Sequence, residues 1–206
     1  MKNILLTLII LTSISCKSQS KSELNLEQLI ERDKAELNKI TESEKSKGTI
    51  SEMNILDLKF GQSTEAVDSI LKQKSDFESV NGDTNEFENY GVNWELNADF
   101  KIPTIIRTDF HKDKLYELEL VFLTDENNIE LGFEKLLEYL RQKYGNENLK
   151  VYSILSQTKE SGPFTYYWIE KNRKVMAYRM QEYCYLRITD SSVDYDKLTN
   201  IFGNKK

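Results

Sequence analysis

The chain has 206 residues, with 28 Lys and Arg against 34 Asp and Glu, a net charge of −6, and a hydrophobic fraction of 39%. That is apolar material enough for one globular domain or two small ones, and eleven Tyr, nine Phe and two Trp exclude a chain that stays solvated throughout. The acidic balance and the lack of a basic patch disfavour nucleic acid as a partner.

Taken from the start, Met1-Lys2-Asn3 is a short basic opening, and Ile4 to Ile14 is an apolar run. As a helix that run reaches only ~16 Å, too short for a bilayer core that needs roughly 20 apolar residues. It fits the apolar region of a signal peptide over residues 1–15. The run closes on Ser13-Ile14-Ser15-Cys16. Small residues before a Cys directly after such a region resemble the lipobox of bacterial lipoproteins. Ser15 matches the small residue before the Cys, and Cys16 matches the residue that receives the lipid and becomes the new N-terminus. Ser13 departs from the pattern, where Leu is usual. The resemblance implies a palmitate-bearing protein held at the membrane by its N-terminus, in the periplasm or at the outer surface of the cell envelope. Lys17, where an Asp commonly marks inner-membrane retention, points to the outer membrane. An ordinary secretory signal cleaved nearby, or one never cut, is the alternative.

With Cys16 acylated, Cys184 has no intramolecular partner. It lies in the alternating run Tyr183-Cys184-Tyr185-Leu186-Arg187-Ile188 and reads as a small buried hydrophobe.

Residues 16–53 read as a lipid-anchored tether containing a helix over 26–41. Leu26, Ile30, Leu37 and Ile40 form its narrow stripe, interrupted by Asp33. Such a helix is marginal alone and is expected to be a semi-stable spacer docked on the domain, the alternative being a coiled-coil oligomerisation segment. Residues 42–53 read as a linker, so the globular part is expected over 54–206.

Within it, 55–60 alternates at its end as a strand or extended entry, and Ser63 caps a helix whose apolar face is Val67, Ile70 and Leu71. Asn81-Gly82-Asp83 signals a turn. Strands are predicted at 87–96, 104–110 and 115–123. In the third, Tyr116, Leu118, Leu120 and Phe122 share one face, while Glu117 and Glu119 point to a face expected to be solvated. Phe133, Leu136, Leu137, Leu140 and Tyr144 recur at helical spacing, with Gly145 at the C-terminal cap. Strands follow at 150–155, 164–170, 174–180 and 183–189, then a helix near 192–202. The fold class is α+β, antiparallel meanders packed against amphipathic helices. Thr124-Asp125 and Thr189-Asp190 each introduce a helix that ends in Gly-Asn. This echo makes 54–125 and 126–206 candidates for a repeated helix-plus-meander unit, unless strand-to-helix junctions favour those residues independently.

The run from Leu56 to Leu71 resembles the helix entry of small envelope lipoproteins related to the outer-membrane assembly factor SmpA, or OmlA, at Gly61, Ser63, Val67 and Leu71. The run Lys143 to Asn148, followed by strands and Trp168, is similar to the closing half of lipoproteins of that layout. The resemblance implies an α+β fold and an envelope-binding role, and carries no catalytic residue over.

No phosphate-binding Gly-rich loop, zinc spacing or nucleophile motif is present in the sequence. His111, the one imidazole, falls in a polar hairpin turn between Asp109 and Asp113. Asp83, Asn85 and Glu88 lack the rest of a calcium loop. No cofactor or metal is expected, nor enzymatic activity. The aromatics carry the most information. Phe164, Tyr166 and Trp168 alternate along one strand, Tyr178 lies on the next, and Tyr183 and Tyr185 on the one after. If Cys184, Leu186 and Ile188 face the core, then Tyr166, Trp168, Tyr178, Tyr183 and Tyr185 are the candidate binding face. The alternative is that helices cover both faces or that these are ordinary cross-strand pairs. The expected role is a non-catalytic binding or scaffold protein of the envelope, with the membrane and another envelope protein as partners. The alternative is an inhibitor or immunity-type protein, its negative charge steering it to a basic enzyme.

Overall fold

A computed structural model of the chain describes residues 26–75, 77–78, 90–97, 100–124, 128–152, 164–180 and 183–193. The signal segment with Cys16, the turn at 81–83 and all but the start of the expected last helix lie outside these residues.

Among the described residues, three helices and eight strands follow one another: α1 (Leu26–Lys45), α2 (Thr64–Lys74), β1 (Phe77–Glu78), β2 (Tyr90–Asn97), β3 (Phe100–His111), β4 (Lys114–Leu123), α3 (Ile129–Tyr144), β5 (Leu149–Tyr152), β6 (Phe164–Glu170), β7 (Arg173–Met180) and β8 (Tyr183–Asp190). All eight strands join one antiparallel sheet in the order β1-β2-β3-β4-β8-β7-β6-β5. The fold is α+β. Its order shows a plan the sequence only hinted at: a helix and a four-strand meander (α2, β1–β4) is followed by a second helix and meander (α3, β5–β8). The two meanders meet through their last strands, where Leu120 lies opposite Leu186 and Phe122 opposite Cys184.

The alternating pattern of the strands decides which side is the core. Val92, Ile102, Ile106, Leu118, Leu120, Phe122, Trp168, Val175, Ala177, Cys184, Leu186 and Ile188 form one buried layer with Val67 and Leu71 of α2 and Leu136, Leu137 and Leu140 of α3. Both helices therefore lie on the same side of the sheet. Helix α2 starts where expected, with Ser63 Oγ accepting from the Ala66 N–H at 3.3 Å. Helix α3 starts later than the Thr124-Asp125 echo implied. Its N-cap position is Asn128, whose side chain makes no capping hydrogen bond. Gly145 ends α3 at φ 81 and ψ −163, a region open essentially to glycine alone. Its carbonyl accepts from Trp168 Nε1 at 2.8 Å, which ties the helix end to β6.

Two segments differ from their expected form. Residues 55–60 are a turn, not a strand: Asn54, Leu56 and Asp57 all have positive φ, and only the Glu52–Lys59 bridge is strand-like. The helix expected over 26–41 runs on to Lys45, supported by Glu42–Lys45 at 2.9 Å. The stretch after it is not a free linker. Ile50 N–H donates to Asn172 Oδ1 at 2.6 Å, Arg173 Nη1 donates to the Glu52 carbonyl at 2.9 Å, and Met53 is fully buried in the core. Helix α1 packs on the other side of the sheet from α2 and α3, with Leu37 and Ile40 against Leu149, Val151, Tyr167 and Ile169. Among the described residues, no helix is long and apolar enough to cross a membrane.

Candidate functional site

The side of the sheet opposite α2 and α3 is where the strands place their chemistry. Its β3, β4, β8 and β7 positions carry Ile105, Arg107 and Asp109, then Glu117, Glu119, Val121 and Leu123, then Tyr183, Tyr185, Arg187 and Thr189, then Lys174, Met176, Tyr178 and Met180. Glu119 sits between Arg107 on one neighbouring strand and Arg187 on the other. Arg187 Nη2 donates to it at 2.6 Å, Arg107 Nη1 at 3.3 Å and the Tyr178 hydroxyl at 3.4 Å. Glu117 accepts from Thr189 Oγ1 at 3.1 Å and is 3.4 Å from Arg187 Nε. Beside this ionic cluster, Tyr178 and Tyr185 stack with centroids 4.8 Å apart and planes 5° from parallel. Tyr183 meets Tyr185 edge-on, and Val121, Ile105, Leu123 and Met180 fill in around them.

The glutamate face of β4 is therefore not solvated as its alternation implied. Glu117 and Glu119 are each 9% exposed. Strand β4 is central, so an arginine reaches across it from each neighbour and Tyr178 from β7 beyond, and the long side chains shield the carboxylates while pairing with them.

The five aromatics singled out in the sequence do not share one face. Tyr166 and Trp168 stand opposite Ala177 and Val175, which stand opposite Leu186 and Ile188. They therefore join the helix side. Trp168 is buried in the main core, and Tyr166 packs against Phe133 of α3 with the Arg141 guanidinium over its ring. Tyr178, Tyr183 and Tyr185 are on the opposite side. The sequence reading missed Arg107, Glu117, Glu119 and Arg187 as members of that site. Its available signal was charged residues in two alternating strands, Glu-Leu-Glu in β4 and Leu-Arg-Ile in β8, where apolar neighbours forecast burial.

Burial changes the titration of the cluster. It raises Asp109 and Glu117 above their ordinary values of 3.8 and 4.5, outweighing the nearby Arg187. It raises the Tyr178 and Tyr185 hydroxyls and lowers Lys174. Burial also disfavours the charged Arg187, but Glu117 and Glu119 more than compensate and its net shift is upward. The folded protein thus holds protons on Asp109 and Glu117 more tightly than the unfolded chain does. Stability from these two groups is fully present below about pH 4 and is lost as pH rises through their raised folded values. Partly buried carboxylates such as Glu147, lowered by its hydrogen bond from Arg141, act in the opposite sense and lose their contribution only as pH falls below about 4.5. We expect a higher melting temperature at pH 5 than at pH 7.5, with a fall below pH 4. Asp109→Asn/Glu117→Gln should lose the rise, and a wild-type melting temperature that drops steadily from pH 7.5 to 5 would contradict the assignment.

Elsewhere, a cleft of 840 Å³ opens beside the start of α2, lined by Thr64, Asp68, Tyr90, Phe110 and Asp113 among others. Its two aspartates are engaged. Asp68 accepts from the Tyr90 hydroxyl and pairs with Lys72 at 2.8 Å, and Asp113 accepts from the Thr64 N–H at 3.0 Å. His111 ends β3, paired with Lys114 in the hairpin. Cys184 is buried against α3, and burial pushes its thiol up to about 12, so it is a weak nucleophile. Among the described residues, no group of three His, Cys, Asp or Glu could hold a metal ion.

Compared with protein-family models, with curated proteins and with solved structures, the chain shows no match.

Proposed function

We propose that the chain is a lipid-anchored protein of the cell envelope, tethered through Cys16 at the outer membrane. Its globular part binds another envelope protein without catalysis. The observation that carries the reading is the composition of the sheet face opposite α2 and α3. Tyr183 and Met180, partly exposed around the buried Tyr178–Tyr185 stack, sit beside the half-exposed Arg107 and the partly exposed Arg187, and Tyr, Met and Arg are the residues enriched at the cores of protein interfaces. Two of the three carboxylates on this face are occupied, since Glu119 is held by two arginines and Glu117 by Thr189 and Arg187. That favours recognition over turnover. The tether supports the reading through the resemblance of Ser15-Cys16 to a lipobox, because several acyl chains anchor a soluble domain firmly.

A photocrosslinking residue at Tyr183, with a second variant carrying it at Glu138 on the exposed side of α3, tests the face in cells. One dominant crosslinked protein from position 183 and none from 138, with the product lost in Cys16→Ala, is the expected result. Equal labelling from both positions, or none from either, would remove the face from the proposal. The net charge of −6 favours a second reading, an inhibitor or immunity-type protein for a basic enzyme. In that case association with the captured protein would weaken steeply with added salt.

A further inference from the structure

We propose that the cleft between α2, α3 and the turn at 54–59 is a binding site for a small amphipathic anion, an apolar ring system carrying one acidic group. The cleft lies on the helix side of the sheet, away from the face around Tyr183, and does not depend on the reading of that face.

The cleft has a volume of 710 Å³, a size typical of small-molecule sites. The end of α2 at Lys74 forms one wall, Tyr139 and Lys143 of α3 form another, the turn closes it, and Trp94 of β2 lines it from the sheet. The turn is a fixed wall. Ile55 and Leu58 are buried in the core, and the Leu58 N–H donates to the Ile55 carbonyl at 3.0 Å. The Tyr144 hydroxyl donates to the Met53 carbonyl at 2.9 Å, which ties the start of the turn to α3. A cleft held in this way costs little ordering when a ligand enters.

The cleft offers a donor that nothing uses. Among the described residues, Trp94 Nε1 is the one buried side-chain nitrogen or oxygen without a hydrogen-bond partner. An indole N–H can only donate, and one shut away from water unpaired carries a desolvation penalty that a bound acceptor relieves. Trp168 shows the ordinary arrangement, its Nε1 donating to the Gly145 carbonyl at 2.8 Å. The Trp94 ring is held edge to face between Tyr139 and Phe122, with centroids 6.4 and 6.5 Å away.

The lysines set the charge of the ligand. Lys74 pairs with Asp57 at 2.6 Å and Lys59 with Glu52 at 3.9 Å. Lys143 has no ion pair among the described residues; its Nζ donates to the Tyr139 hydroxyl at 3.2 Å, which neutralises nothing. An ammonium carries three donors, so Lys143 can keep that bond and hold an anion as well. Lys143 and Trp94 both contact the Tyr139 ring. The uncompensated charge and the waiting N–H therefore flank one residue, where a single acidic group with several oxygens serves both. Its ring system then lies against Trp94, Tyr139 and Leu56. Trp94 Nε1 has no exposed surface as the side chains stand, so the partly buried Tyr139 and the exposed Lys143 move aside as the anion enters.

The probe is anilinonaphthalene sulfonate, an apolar ring system with one sulfonate, titrated into the isotope-labelled full chain. Nuclear magnetic resonance reads the indole N–H signals of the two Trp residues, and Trp94→Phe assigns them. The Trp94 signal is expected to shift and saturate while the Trp168 signal stays, which also reports that each variant is folded. Lys143→Ala should weaken binding about tenfold. Lys135→Ala, on α3 outside the cleft and paired with Glu138 at 2.8 Å, should not. Phenylnaphthylamine, which lacks the sulfonate, should bind about tenfold more weakly than the charged probe. A Trp94 signal that does not move, equal affinity for the charged and uncharged probes, or Lys143→Ala no weaker than Lys135→Ala would overturn the site. So would a Trp94 N–H that exchanges magnetisation with water throughout the titration, which marks a trapped water as its partner.

Discussion

Replacing Arg187 with Ala should destabilise the protein by about 3 kcal/mol, the larger part of which is the cost of leaving Glu117 and Glu119 buried without their shared cation. The size follows from the surroundings. Glu117 and Glu119 side chains are each 11% exposed, while a third of Arg187 remains in water, which places the loss at the low end of the range for breaking a buried pair. The loss should belong to the pairing and not to the arginine alone. Arg187→Leu combined with Glu119→Leu is expected to recover 1 kcal/mol or more, roughly the coupling seen between contacting residues, because apolar side chains of similar volume can replace an ion pair at little cost. Urea unfolding of the two single variants and the double variant reads this directly. A loss below about 1 kcal/mol for Arg187→Ala would mean that water reaches the cluster and that the carboxylates are not effectively buried.

The second large effect lies at the seam between the two meanders. Leu120 and Leu186 stand directly opposite each other on β4 and β8, and neither is exposed. Each truncation to Ala should cost about 3 kcal/mol through lost transfer energy and the cavity left behind. The double truncation should depart from the sum by about 1 kcal/mol, since the two cavities adjoin. Every variant should still unfold in one transition, because the core layer runs unbroken from Val92 on one side of the seam to Trp168 on the other. Two resolved transitions in the double variant would show that the halves hold together independently and that the seam is an interface between units.

Much of this architecture follows from patterns within single elements. The stripe from Phe133 to Tyr144 specifies α3, Ser63 specifies the start of α2, and the alternation of β4 and β8 specifies which of their residues are buried together. The candidate site was harder to read because it depends on strand neighbours far apart in the chain. Nothing in Glu-Leu-Glu tells that Arg187, 68 residues after Glu119, will lie across it. The aromatic face divided for a related reason. Alternation placed Tyr166 with Trp168, and Tyr183 with Tyr185, correctly within each strand. Whether the two pairs share a side depends on the register that sets Ala177 opposite both Tyr166 and Leu186. The turn at Asn54, Leu56 and Asp57 was hidden because ordinary side chains take a left-handed backbone there, where glycine would have advertised it.

The pairing of β4 with β8 also sets an order on how the molecule can be made. β4 is complete at Leu123, yet its second neighbour arrives only with Tyr183–Asp190. For the whole interval in synthesis, a strand whose side chains are nearly all destined for burial presents an unsatisfied row of N–H and C=O groups. A pairing of such sequence separation closes slowly. The outer edge of the first meander therefore stays open until the last strand of the second is made, and the nascent chain is most prone to pair with a wrong strand in the stretch between them. The charged residues at the middle of β4, Glu117 and Glu119, are what make that waiting edge less adhesive, so the same two carboxylates that later sit between arginines also guard the chain while it is incomplete.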